Sequence, residues 1–70
     1  MQWRRAEDAI AFFELNTQEH PNSSNTFDSL AEAYTKKGHM DLAIQNYQKA
    51  LSLDPMNENA KDKLHQLQNK

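Results

Sequence analysis

The sequence predicts an all-α fold of about four helices arranged as antiparallel hairpins, and three observations carry that reading. Gly38, Pro21 and Pro55 are the only glycine and the only prolines in 70 residues, and they cut the chain into four segments of helical length. Within each segment the apolar side chains return with helical period. The connections are short, so consecutive helices must turn back on one another.

The first helix is expected over about residues 3–17. Trp3, Ala6, Ile10 and Phe13 make one stripe, and Ala9 and Phe12 beside it widen the apolar face beyond that of a simple amphipathic helix. Such a helix should pack on more than one side. After Pro21 the run Asn22-Ser23-Ser24-Asn25 is rich in side chains whose oxygens can satisfy the free backbone N–H groups of a second helix. Phe27, Leu30, Ala31 and Tyr34 form its buried stripe, and Gly38 supplies the positive φ that stops it after Lys37. Asp28 and Glu32 precede Lys36 and Lys37 in the order the helix dipole favours. The third helix carries Met40, Ala43, Ile44, Tyr47, Ala50 and Leu51 and ends at Asp54, because a residue before proline avoids the helical region. Asn57 can cap a fourth helix, over about residues 58–69, whose apolar positions are only Ala60, Leu64 and Leu67. One thin stripe implies one buried side.

Composition narrows the function classes. The chain is 37% hydrophobic and 26% charged, and its mean hydropathy of −1.01 suits a thin helical solenoid with much surface for its mass. A net charge of −2 and a pI near 5.8 give no general attraction to phosphate backbones, so nucleic acid is not an expected partner. There is no cysteine for a disulfide, a thiolate metal site or a thiol nucleophile. No apolar run approaches the roughly 18 residues of a membrane span, and Trp3-Arg4-Arg5 followed by Glu7-Asp8 lacks the apolar core of a signal peptide. No membrane association is expected, and the default location is cytoplasmic.

A shift of 34 residues places Ala9 on Ala43, Ile10 on Ile44, Phe13 on Tyr47, Pro21 on Pro55, Asn25 on Asn59 and Leu30 on Leu64. Phe27-x2-Leu30-Ala31-x2-Tyr34, then Ala43-x3-Tyr47 and Pro55, resembles the tetratricopeptide repeat pattern, with conservative replacements at its Trp, Gly and Phe positions. In physical terms Ala31 and Ala43 let paired helices approach closely, Ala50 does so toward the next helix, and the larger side chains fill the remaining space. The resemblance implies a right-handed solenoid in a single domain over 1–70: the second half of an incomplete repeat, a complete repeat over 24–57 and a closing helix. Asn16 stands where the family has a small alanine and His39 where it has an acidic cap. The first helix lacks the partner helix that the pattern expects before it. The stretch from Ala9 to Leu53 also resembles the repeat tails that follow esterase-like and β-lactamase-like hydrolase domains in some bacterial proteins.

The resemblance implies a non-catalytic module that binds another protein or a peptide. The first helix of each pair in such repeats lines a concave groove, which makes Asn25, Asp28, Ser29, Glu32 and Lys36 the candidate contacts, with Asp62, Lys63 and Gln66 added by the closing helix. Family members that grip a peptide's terminal carboxylate use an asparagine-plus-basic clamp; the matching positions here read Ser29, Glu32 and Lys36, so that clamp is not expected. Asp28 and Glu32 favour a basic or neutral-polar peptide. The other reading of these charges is a plain solvated face. Trp3 and Phe12 are the candidate self-association surface, for a homodimer that covers the unpaired side of the first helix; alternatively both fold back over that helix.

Catalysis and cofactors find no support in the motifs. No serine has a neighbouring glycine of the kind a nucleophile turn needs, and Ser23 and Ser24 read as caps. His20, His39 and His65 lie in different segments without metal-ligand spacing. Asp54-Pro55-Met56-Asn57-Glu58 lacks the glycine and alternating ligands of a calcium loop. The module is therefore expected to be no enzyme and to use no cofactor or metal. Three functions remain open: a stand-alone interaction module, the accessory tail of a larger hydrolase, and a self-associating structural unit.

Overall fold

A computed structural model of the chain describes residues 5–68, with side chains from Asp8 onward. It is all-α, with helices α1 (Arg5–Glu19), α2 (Ser24–Lys37), α3 (Met40–Leu53) and α4 (Glu58–Gln68). Packing follows chain order, α1 on α2, α2 on α3 and α3 on α4, with the α2–α3 contact the most extensive. This is the arrangement of a helical repeat, in which each element leans on its neighbours in sequence. The Cα atoms span 40 × 31 × 15 Å, so the molecule is a thin slab with little depth for a core.

The core is made of small side chains and two tyrosines. Leu30, Ala31, Ala33, Tyr34, Ala43, Tyr47, Ala50 and Ala60 are buried, and Tyr47 is the largest side chain to be fully so. Ile10, Phe13, Phe27, Leu51, Leu64 and Leu67 close over them half-buried. Alanines at 31, 43, 50 and 60 leave almost no side-chain thickness between backbones, which lets the helices approach while Tyr47 fills the space between them. Ala33 is an addition to the stripe expected on α2. Met40 departs from expectation: at 40% exposed, with Leu42 at 39%, it lies on the surface at the start of α3, where the helix has barely emerged from the turn at Gly38.

Helix ends explain where the elements stop. α1 runs to Glu19, past the expected end at residue 17, as Thr17 turns its hydroxyl back to donate to the Glu14 carbonyl at 2.7 Å. Pro21 then forces the turn, in which Ser23 N–H donates to the His20 carbonyl at 3.1 Å. Its counterpart 34 residues later is the same turn: Asn57 N–H donates to the Asp54 carbonyl at 3.0 Å, around Pro55. In both, proline pre-sets the φ of the second turn position. Gly38 has φ +94° and ψ 7°, and the N–H groups of Gly38 and His39 donate to the carbonyls of Thr35 and Tyr34 at 3.1 and 2.9 Å. This is the paired closure that requires a left-handed residue after a helix.

The caps differ from expectation. Ser23 holds the extended cap position before α2 (φ −96°, ψ 113°), yet its side chain makes no cap bond. The Ser24 hydroxyl leaves its own helix altogether, donating to the Ala50 carbonyl at 2.8 Å. His39, standing where the repeat pattern has an acidic cap and expected to weaken it, makes no side-chain cap bond to α3. Asn57 does cap α4, its Oδ1 accepting from Ala60 N–H at 3.0 Å.

Candidate interaction surfaces

Among the described residues, the places that bear on ligand binding differ in how many elements build them. Between α1 and α2 lies a cleft of about 160 Å³ lined by Ala9, Phe13, Ser29, Glu32, Ala33 and Lys36. The floor is apolar because Ala9 and Phe13 from α1 meet Ala33 from α2. The rim is charged: Lys36 and Glu32 are paired at 3.7 Å with side chains 72% and 53% exposed. An exposed i,i+4 pair of this kind contributes only about 0.3–0.5 kcal/mol, so both charges can turn to an incoming group at little cost.

Beyond the cleft the outer face of α1 is apolar and uncovered. Phe12 is 59% and Leu15 52% exposed, one helical turn apart on the same stripe. Phe12 stands edge-on to Phe13, with ring centroids 5.4 Å apart, so the exposed ring adjoins the floor of the cleft. Of the expected self-association pair, Phe12 is on this face, and Trp3 lies outside the described residues. Leu15 was not singled out from sequence, although its position three residues after Phe12 was the available signal.

The position of α1 relative to α2 is fixed by a polar contact at its middle. Tyr34, buried in the core, donates its hydroxyl to Glu14 Oε2 at 2.6 Å. This bond, then burial, then the nearby carboxylate charge push the phenol's pKa up to about 12, so Tyr34 stays a donor throughout the physiological range. A core tyrosine must find a partner for its hydroxyl; the sequence announces that need at Tyr34 but not that Glu14 meets it. Tyr47 is also held neutral, its pKa raised by burial and by the charges of Asp28 and Glu32 against the opposing effect of a hydrogen bond with Thr35.

A second region joins the start of α2 to the start of α4. Asn59 Nδ2 donates to both oxygens of Asp28, at 2.9 and 3.0 Å, and Asn57 Nδ2 donates to the Ser24 hydroxyl at 2.8 Å and more weakly to Asp28 at 3.4 Å. The half-buried Asp28 carboxylate is thus engaged within the chain. The candidate groove residues therefore fall into separate groups. Ser29, Glu32 and Lys36 come together at the α1–α2 cleft. Asp28 faces the beginning of α4, Asn25 is exposed at the first turn of α2, and Asp62, Lys63 and Gln66 follow along α4 with Asp62 and Gln66 exposed.

A further hollow of about 400 Å³ is lined by Gly38, His39, Met40, Asp41 and Leu42. Its walls are five consecutive residues of one connection. No second element converges on it, so it has the shape of a bend in the surface and not of a built site. His20, His39 and His65 are all exposed, and among the described residues no group of three histidines or carboxylates could hold a metal ion. Nor, among those residues, is any helix long and apolar enough to cross a membrane.

A family model described as TPR repeat matches residues 31–70, more than half of the chain. The match takes in the second half of α2 and all of α3 and α4, and leaves α1 outside. Comparison with curated proteins finds no match.

Proposed function

The chain belongs to the TPR repeat family, and from that premise we propose that it is a non-catalytic protein–protein interaction module whose contact surface is the uncovered side of α1 with the adjoining α1–α2 cleft. The observation that carries this reading is the exposure of Phe12 (59%) and Leu15 (52%) on one stripe of a helix. Exposed large apolar side chains scattered singly need no explanation, but two together beside an apolar cleft mark a contact site. The proposal also takes the helices as antiparallel hairpins of a right-handed solenoid, with residues 24–57 as the complete repeat and α4 as its closing helix.

In this reading Glu32 and Lys36 form a polar rim that sets register, and Phe12, Leu15 and Phe13 supply the apolar anchor. The rest of the candidate groove has a smaller part, because Asp28 is already held by Asn59. A repeat tail of a larger hydrolase would use the same face against its own catalytic domain, so the same variants report on it.

The test is capture of partner protein by the immobilised chain, compared with Phe12→Ser plus Leu15→Ser and with Glu32→Lys plus Lys36→Glu. The apolar pair should abolish capture, and the charge exchange should weaken it several-fold, with helicity by circular dichroism unchanged in both. Equal capture by all three proteins sinks the proposal.

A further inference from the structure

We propose that the occupant of the uncovered α1 face is a basic amphipathic helix, one that seats two apolar side chains on Phe12 and Leu15 and brackets them with Lys or Arg over Asp8 and Glu19. The proposal rests on the reading of that face as a contact surface and adds the chemistry of its partner.

Charge selects the partner's sign. Asp8, Phe12, Leu15 and Glu19 follow one another at i, i+4, i+7 and i+11, the spacing of one helix face, and all four are exposed. The stripe thus has an apolar centre and a carboxylate at either end, about 16 Å apart along the axis at 1.5 Å per residue. That separation is too wide for a shared metal ion, whose oxygen ligands sit about 2.0–2.6 Å away. The two carboxylates therefore act as separate acceptors. Glu14, the third charged side chain described on α1, is acidic as well, and accepts from Tyr34 at 2.6 Å on the side toward α2. Lys36, at the rim of the adjoining cleft, is paired with Glu32 at 3.7 Å, so that pair adds no net positive charge. Acidic partners and anionic membrane surfaces meet like charge at both ends of the stripe, whereas Lys or Arg meets its opposite.

The backbone selects the partner's form. Along the middle of α1 the N–H and C=O groups bond within the helix, so the stripe offers no ladder to an extended peptide. Such a peptide would lay its own free N–H and C=O groups against Phe12 and Leu15, where each buried, unpaired group is costly. A helix arrives with its backbone already paired and presents side chains alone. Helix on helix is also how α1 meets α2, α2 meets α3 and α3 meets α4. With an acid at each end of the stripe, a partner that carries a base at each end docks in either direction.

One helix stripe buries less than the roughly 1,200 Å² of a standard interface. The complex is accordingly weak, with a Kd on the order of 100 µM.

The probe is a stapled, alanine-based helical peptide of about 18 residues carrying Arg, Leu, Leu and Arg at i, i+4, i+7 and i+11. Its control carries Glu in place of both arginines. Each is titrated by fluorescence anisotropy against the 70-residue chain, against Asp8→Lys plus Glu19→Lys, and against Phe12→Ser plus Leu15→Ser, with helicity of the variants checked by circular dichroism. The basic helix should bind the wild-type chain about tenfold more tightly than the acidic one, and the preference should shrink as salt is raised. The charge variant should reverse that preference, and the apolar variant should lose both peptides. A basic helix that fails to bind the wild-type chain below about 1 mM overturns the proposal, as does equal binding of the two peptides, a comparison that needs no variant. An acidic helix preferred by the wild-type chain, in a manner that still requires Phe12 and Leu15, overturns the partner's charge and leaves the contact surface standing. Binding of the basic helix that survives Phe12→Ser plus Leu15→Ser overturns the seat itself.

Discussion

Replacing Tyr34 by Phe isolates the contact that fixes α1 on α2. The substitution keeps the buried ring and removes one hydroxyl, which donates to Glu14 Oε2 at 2.6 Å. Hydrogen bonds to charged groups contribute about 1.5–3 kcal/mol. Glu14 is exposed, so its carboxylate regains water when the tyrosine is lost, and the expected cost falls to about 1 kcal/mol. In a domain of this size that lowers Tm by about 4–8 °C. The pair can be tested by a double-mutant cycle with Glu14→Gln, followed by thermal melting at pH 7: most of the loss should appear as coupling between the two positions. The alkaline limb gives a second readout. A phenol raised from 10 to about 12 in the folded chain contributes stability that is fully present below pH 10. That stability is lost as pH rises through about 12, because the unfolded chain releases its proton first. Wild-type stability should therefore fall across that window and Tyr34→Phe should flatten the fall, leaving the smaller part due to Tyr47. Zero coupling in the cycle, or an alkaline limb identical in the two proteins, refutes the reasoning.

Other substitutions separate the remaining contributions. Gly38→Ala should cost about 1–2 kcal/mol by chemical denaturation, since a Cβ there meets nothing within 4 Å and only the left-handed φ of +94° is penalised; a neutral result contradicts that assignment. Tyr47→Ala empties the centre of the core, and a loss of about 3–5 kcal/mol from a domain whose whole stability is about 3–10 kcal/mol should leave the chain largely unfolded by circular dichroism. Asn57→Ala should lower stability by about 1–2 kcal/mol through the lost cap of α4. Asn57→Asp keeps the cap acceptor but sets a second carboxylate beside Asp28, so its penalty should shrink as pH is lowered; a pH-independent penalty contradicts the Ser24–Asn57–Asp28 arrangement.

How much of this was legible in the sequence depended on whether a feature is local or tertiary. The breakers at Pro21, Gly38 and Pro55 and the spacing of Leu30, Ala31 and Tyr34 are local signals, and the helices begin and end close to where those signals place them. The equivalence of the two proline turns was visible as a 34-residue shift and returns as the same backbone hydrogen bond. Ser23 takes the cap position before α2, and Ser24 departs from its expected role for a tertiary reason. Ser24 is a good cap by type, but the carbonyl of Ala50 lies within 2.8 Å of its hydroxyl, and no sequence pattern announces an acceptor from another helix. Met40 fits the apolar period of α3 yet sits too close to the turn for any neighbour to cover it. The candidate groove was read from a face of the second helix with residues of the closing helix added, and the structure divides it because α1 occupies one side of α2 and the start of α4 the other.

The proposed contact surface of the molecule is the outer face of α1 with the adjoining cleft. Amide and side-chain NMR shifts followed as a captured partner protein is added to the chain test it. Shift changes should be confined to Ala9 through Glu19 and to the cleft residues Ser29, Glu32, Ala33 and Lys36, with Phe12 and Leu15 moving most and α4 silent. Changes centred on Asp62, Lys63 and Gln66, with Phe12 and Leu15 unmoved, would contradict it.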